Sequence, residues 1–172
     1  MNHIHHLITM LLLPEYQHIL VNHVPLTGLG VAVIVLAVGV VFRARSVVLT
    51  GLLVVALTTG SIALVTYTGD RAADRVQSMT DKDGEAWLHR HEALADRWSK
   101  LYYATAALAL IALIVTLAAP KIQTFAGFLV LVLAVASLGA GFYIAEAGGQ
   151  IRHREFRVAP PPPTPAESDH AV

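Results

Sequence analysis

The fold of this chain is decided by residues 25–68, which read PLTGLGVAVIVLAVGVVFRARSVVLTGLLVVALTTGSIALVTYT. Its only charged residues are Arg43 and Arg45, and they divide the stretch into two apolar runs, 25–42 and 47–68. At 1.5 Å per residue, each run forms a helix about long enough to cross a hydrocarbon core of roughly 30 Å. The short basic segment between the runs predicts a tight turn, so that the two helices are neighbours in space.

The same pattern returns later in the chain, where the apolar runs 101–119 and 125–144 flank a short segment containing Lys121. The chain is 55% hydrophobic and 14% charged, against about 25% charged residues in soluble domains. We therefore predict an all-α integral membrane protein, an up-down-up-down bundle of four helices. Helices 2 and 3 are expected to extend beyond the membrane through residues 69–100, with the third helix beginning near Asp81.

Three segments follow from this pattern. Residues 1–22 are predicted to form a short interfacial helix or helix–turn, broken at Pro14, because their apolar run is too short to span. Residues 23–157 form the transmembrane bundle. Residues 158–172 are rich in proline and are predicted to be an extended tail.

Charge and composition exclude several functions and indicate an orientation. Basic and acidic residues balance at 12 each, so nothing indicates binding to nucleic acid, and the absence of cysteine excludes thiolate ligands and covalently attached haem. The spans carry no charge, which argues against a pump or channel. The two basic turns favour the cytoplasm, which places both termini and the polar head in the periplasm of a bacterial inner membrane.

Histidine is the residue type to follow, because nine histidines are many for so apolar a chain. Along the third helix, Trp87, His91 and Trp98 recur at helical spacings on one mainly apolar face, so His91 is predicted to point inward. His89 lies two residues away and falls on a solvated face. Taken alone, His91 could be an ordinary hydrogen-bonded interfacial histidine.

Two further histidines are expected beside His91. His23 precedes the first span and His153 follows the fourth, so the predicted topology brings all three to one side of the membrane. Imidazole is a common metal ligand and the usual axial ligand of b-type haem. We therefore predict one site for haem b or for a copper, zinc or iron ion at His23, His91 and His153. Further metal ligands would be Glu92 and Glu155, and the groups that orient or make room for the ligands would be Asn22, Asp70, Gly148 and Gly149.

The order of these motifs resembles a family of small bacterial four-helix membrane proteins that carry a domain of unknown function. The pattern is Asn22-His23-x-Pro-x-x-Gly, then Thr-Gly-Asp70 with an alanine three residues on, then His91-Glu92-x-x-Ala, then Gly148-Gly149-x-Ile-Arg-His-x-Glu. The resemblance covers roughly residues 20–157 and implies a fold and a shared histidine-rich site. It implies no reaction.

Three functions are consistent with the sequence. The first is a haem-binding membrane subunit that transfers electrons with a quinone, an electron carrier or a larger respiratory or photosynthetic complex. The second is a protein with a non-haem copper, zinc or iron site. The third is a structural or assembly subunit of a larger membrane complex without a cofactor. The sequence contains no nucleophilic triad and no phosphate-binding glycine loop, so it does not indicate an enzyme that depends on either.

Overall fold

The computed structural model describes residues 3–163, and within that range it contains helices and no strands. Residues 164–172, most of the predicted proline-rich tail, lie outside the described residues. The α-helices in chain order are α1 (His3–Leu11), α2 (Pro14–Val21), α3 (Leu29–Val41), α4 (Arg45–Gly60), α5 (Ile62–Ser78), α6 (Lys82–Ala118) and α7 (Gln123–Arg152). A π-helical turn, Val24–Gly28, joins α2 to α3, and 3₁₀ turns occupy Pro120–Ile122 and Arg154–Phe156.

Four helical stretches are long and apolar enough to cross a membrane: Pro14–Val41, Arg45–Ser78, Lys82–Ala118 and Pro120–Arg152. The prediction of four long apolar helices is thereby confirmed. The third of them begins where the sequence indicated, because the Asp81 side chain accepts a hydrogen bond of 2.8 Å from the Gly84 backbone N–H and caps the first turn. With 37 residues, α6 is about 55 Å long.

Small residues set how closely the helices approach. A β-carbon at Gly39 would lie 2.7 Å from the backbone nitrogen of Val48, and one at Gly51 would lie 2.8 Å from the Cα of Leu36. Helices α3 and α4 therefore pack backbone to backbone at these positions. Buried leucine, valine and alanine side chains from α3, α4, α6 and α7 form the main core around them.

The buried face of α6 agrees in part with the sequence prediction. Trp87 is buried as predicted, and His91 and Trp98 are partly buried. Further along the helix, Tyr102 and Thr105 are buried, at 1% and 0% exposed. The side chain of His89 remains 39% exposed and lies 3.5 Å from Glu92.

Two irregularities interrupt the helices near α2. The π-helical turn contains Pro25, which has no backbone N–H to continue a regular hydrogen-bond ladder, and the second long stretch is interrupted at Ser61 between α4 and α5. Helix α2, which precedes the π-helical turn in the chain, packs against α5, and Glu15 on α2 forms an ion pair of 2.7 Å with Arg75 on α5. The residues of α2, assigned from the sequence to an interfacial segment, are thus part of the bundle wall.

Candidate functional site

A cavity of about 170 Å³ lies between α2, the π-helical turn and helices α5, α6 and α7. Its polar lining consists of His18, Asn22, His23, His91 and Tyr102. The rest of the lining is Pro25, Leu26, Ile62, Val65, Gly141, Ile144 and Ala145. A mainly apolar cavity with a few converging polar groups is the usual form of a ligand site.

His18 is held in one orientation by α5. Its Nδ1 donates a hydrogen bond of 3.1 Å to the backbone carbonyl of Val65. Gly69, one turn further along α5, makes room for the ring, because a β-carbon there would lie 3.1 Å from the Cε1 of His18. A carbonyl can only accept, so Nδ1 carries the proton and Nε2 retains a lone pair.

His91 is held by α7 in the same manner. Its Nδ1 donates a hydrogen bond of 3.0 Å to the backbone carbonyl of Ile144. Gly148 lies one turn further along α7, and a β-carbon there would lie 3.0 Å from the Nδ1 of His91. The Nε2 of His91 therefore also keeps its lone pair.

His18 and His91 are thus held in the same way, and one of them comes from each half of the chain. In both halves a carbonyl fixes the imidazole, and a glycine four residues later gives it space. The two ring centroids are 6.3 Å apart and the ring planes meet at 87°. Among the described residues, neither Nε2 has a hydrogen-bond partner.

Each of the two rings therefore keeps one lone pair that could bind an electrophile. A metal–imidazole bond is about 2.0–2.1 Å, and the two ring centroids are 6.3 Å apart, so one metal ion could reach both rings. A ligating histidine also commonly donates its other ring N–H to a backbone carbonyl, as both rings do here.

The structure brings only some of the predicted residues to this cavity. His91, Asn22 and His23 line it. His23 is exposed, and its Nδ1 donates to the carbonyl of Ile19 at 2.8 Å within its own helical turn. Asp70 is exposed on α5, and Glu92 lies beside His89.

His153 and Glu155 lie apart from the cavity. They pair with each other at 3.0 Å, and their side chains are 57% and 67% exposed. The His153 ring stacks on Phe156 with centroids 5.0 Å apart. The backbone N–H of Glu155 and the His153 side chain hold the pKa of Glu155 below its usual value. Gly149 faces Phe156 rather than an imidazole.

An arginine clamp at the end of α7 explains the placement of His153. Arg157 donates hydrogen bonds of 2.7 Å to the last carbonyls of α7, those of Gln150 and Ile151. It also pairs with Asp81 at 2.9 Å, while Arg154 binds the same carboxylate at 2.7 Å. Arg157, the Gly84 N–H and Arg154 hold the pKa of Asp81 well below its usual range. These contacts direct residues 153–157 across the start of α6.

His18 is the site residue that sequence reasoning missed. It lies in a segment too short to span by itself, and the signal that could have found it is a repeated pattern. Val65 and Gly69 in one half correspond to Ile144 and Gly148 in the other. A histidine facing the second pair predicts a histidine facing the first.

Within residues 3–163, no group of three or more histidine, aspartate or glutamate side chains is arranged to hold a metal ion. Comparisons of the chain with protein families, with curated proteins and with solved structures find no match. The function proposed below therefore follows from the residues of this chain.

Proposed function

We propose that this protein is an integral membrane subunit that binds a b-type haem through His18 and His91 and serves in electron transfer. The observation that supports it best is the imidazole pair, with centroids 6.3 Å apart, both Nδ1 atoms fixed by backbone carbonyls and both Nε2 atoms free for a ligand. When bound, haem would supply one-electron redox chemistry. His18 and His91 would hold the iron, and Gly69 and Gly148 would leave the rings room.

The number of protein ligands favours haem over a bare ion. Structural and catalytic zinc sites use three or four protein ligands, whereas a haem iron needs only axial ligands from the protein. A non-haem copper, zinc or iron site would need a third protein ligand, and within residues 3–163 no third histidine, aspartate or glutamate is arranged with His18 and His91 to hold an ion. The enclosed space is smaller than a macrocycle, since an engineered cavity of about 150 Å³ takes one benzene. Part of a haem would therefore lie past the rim at Asn22 and His23.

The same proposal includes insertion in a membrane as an up-down-up-down bundle. In the first half, contacts join Gly39 to Val48 and Gly28 to Thr58. Further from the turn, His18 contacts Val65. The residue number falls from 39 to 28 to 18 on one side and rises from 48 to 58 to 65 on the other. This order is expected for neighbouring helices that run antiparallel. Exposed aromatic side chains then mark one membrane–water boundary close to the cavity: Tyr67 at 55%, Tyr103 at 43% and Tyr143 at 42%.

The site would then lie near one membrane surface, on the side of both termini. Arg43, Arg45 and Lys121 would lie at the opposite surface, in the cytoplasm, so the histidine pair would face the periplasm of a bacterial inner membrane. A haem at that depth could exchange electrons with a soluble carrier, with a quinone in the bilayer or within a larger respiratory or photosynthetic complex.

The visible spectrum of the full-length protein tests the proposal. We expect protein purified in detergent from cells supplied with iron and a haem precursor to show a Soret band and a sharp α band on reduction. The pyridine haemochrome assay then gives haem per chain. His18→Ala and His91→Ala should both lose the haem, whereas His153→Ala should retain it.

Three results would contradict parts of this proposal. Haem retained in His18→Ala would exclude the assigned axial pair. A transition metal found by mass spectrometry without haem would favour the non-haem site. Neither haem nor metal in protein purified without chelators would leave a structural or assembly subunit as the remaining function.

A further inference from the structure

The inner end of the cavity carries a polar group with no partner in the protein. Tyr102 lines the cavity and is 1% exposed, yet its hydroxyl makes no hydrogen bond with the described residues. Gly141 on α7 contacts that hydroxyl so closely that a β-carbon at position 141 would overlap it. The absence of a side chain at position 141 therefore leaves space for the hydroxyl.

Two other tyrosines of the bundle have hydrogen-bond partners. Tyr67 accepts a hydrogen bond of 2.7 Å from Arg71, and Tyr143 accepts one of 2.9 Å from Arg90. A buried hydroxyl without a partner is unfavourable, and phenylalanine would fill the same ring space without that cost. The Tyr102 hydroxyl is thus placed to bind a molecule that enters the cavity.

The inner end also limits the size and polarity of that molecule. The whole cavity, from the imidazoles to Tyr102, has a volume of about 170 Å³, close to the roughly 150 Å³ that holds one benzene ring. The walls beside Tyr102 are the apolar side chains of Leu26 and Ile62 and the backbone at Gly141. A single flat apolar ring that carries a hydrogen-bond acceptor satisfies both conditions.

We infer that the inner end of this cavity binds the head group of a lipid-soluble quinone, with a quinone carbonyl accepting a hydrogen bond from Tyr102. A quinone supplies the flat ring and the acceptor oxygen, and it reaches a membrane protein from the apolar phase. On α7 the Tyr102 hydroxyl lies against Gly141, and the His91 ring lies against Ile144 and Gly148, up to two turns further along. The quinone ring would therefore lie in the cavity beside the imidazole pair, and most of a haem bound to that pair would lie past the rim.

The redox role of the quinone rests on the proposed function, since a haem beside the quinone would exchange electrons with it. The binding itself depends only on Tyr102, Gly141 and the apolar walls. Loss of the haem and loss of quinone binding can therefore be measured separately.

The test is equilibrium binding of decylubiquinone, a short-tailed benzoquinone, to the full-length protein in lipid nanodiscs by calorimetry. Tyr102→Phe removes the donor and keeps the ring, and should weaken binding about 2- to 10-fold, the range for one net hydrogen bond. Tyr103→Phe is the matched control and should bind like the wild type, because its ring is 43% exposed and lies on another face of α6.

A pair of glycine variants provides a second measurement. Gly141→Ala should displace the Tyr102 hydroxyl and weaken decylubiquinone binding. Gly139→Ala should not, because a β-carbon at position 139 has no neighbour within 4 Å. Thermal unfolding of all four variants shows whether each remains folded.

The outcomes separate the two proposals. Tyr102-dependent binding that persists in haem-free His18→Ala protein supports the quinone site, even if the wild type also proves free of haem. Equal affinities of Tyr102→Phe and Tyr103→Phe, or no decylubiquinone binding by the wild type, would overturn it whatever the haem content.

Discussion

Gly148→Ala is the substitution that probes the His91 site most directly. A β-carbon at position 148 would lie 3.0 Å from the Nδ1 and 3.1 Å from the Cε1 of His91, tighter than ordinary van der Waals contact. The ring cannot withdraw without lengthening its hydrogen bond of 3.0 Å to the Ile144 carbonyl. The new methyl group and that hydrogen bond therefore compete for the same position of the ring.

The magnitude follows from three contributions. Alanine in place of glycine within a helix stabilises it by about 1 kcal/mol. Loss of the hydrogen bond between His91 and Ile144 costs about 1 kcal/mol, and overpacking at a tight contact costs about 1–3 kcal/mol. We therefore expect Gly148→Ala to lower the free energy of unfolding by about 1–3 kcal/mol. A displaced ligand should also weaken haem binding about 10- to 100-fold, as for other groups that orient metal ligands.

Gly149→Ala is the matched control, one residue further along the same helix. Its β-carbon would meet only the Phe156 ring, at an ordinary contact distance of 3.4 Å. This variant should keep its haem and be unchanged or more stable by up to about 1 kcal/mol. Haem titration followed at the Soret band and thermal unfolding measured by circular dichroism give both quantities. Equal haem affinities for the two variants would refute the assigned role of Gly148.

Three further predictions follow from the described contacts. His91→Ala should lose the haem and destabilise the head of the bundle, whereas His89→Ala should do neither; similar haem content in both variants would contradict the inward orientation of His91. The contribution of Asp81 to stability should be fully present above its ordinary pKa of 3.8 and lost as the pH falls below it, because Arg157, the Gly84 N–H and Arg154 depress the pKa in the folded protein. The melting temperature of the wild type should thus fall more steeply below pH 4 than that of Asp81→Asn, and parallel curves would contradict this. Single cysteines at Ser46 and Ser78 should be labelled from opposite sides of sealed vesicles, since the natural chain has no cysteine; labelling of both from one side would refute the four-span topology.

The sequence by itself determined the helical framework. Four charge-free runs, joined in two pairs by short basic turns, leave the backbone few alternatives in an apolar phase, where every N–H and C=O needs an internal partner. The start of α6 near Asp81 was predicted too, because a capping side chain acts within one turn of helix, and the structure shows the Asp81 side chain as the cap. Both are local features, and local features can be read from neighbouring residues.

The composition of the candidate site depended on tertiary structure. The sequence predicts His153 as a ligand on the same grounds as His91. In the structure, the contact between Arg157 and Asp81 directs the segment of His153 across the start of α6. These two residues are 76 positions apart in the chain. The sequence places His18 in an interfacial segment, and the packing of α2 against α5 brings it to the cavity. The carbonyls that fix the two imidazoles belong to Val65 and Ile144, and although a glycine follows each of them by four residues, the sequence alone does not show which side chain faces them. Periodicity tells which face of a helix a residue occupies, but only the packed bundle decides which faces meet.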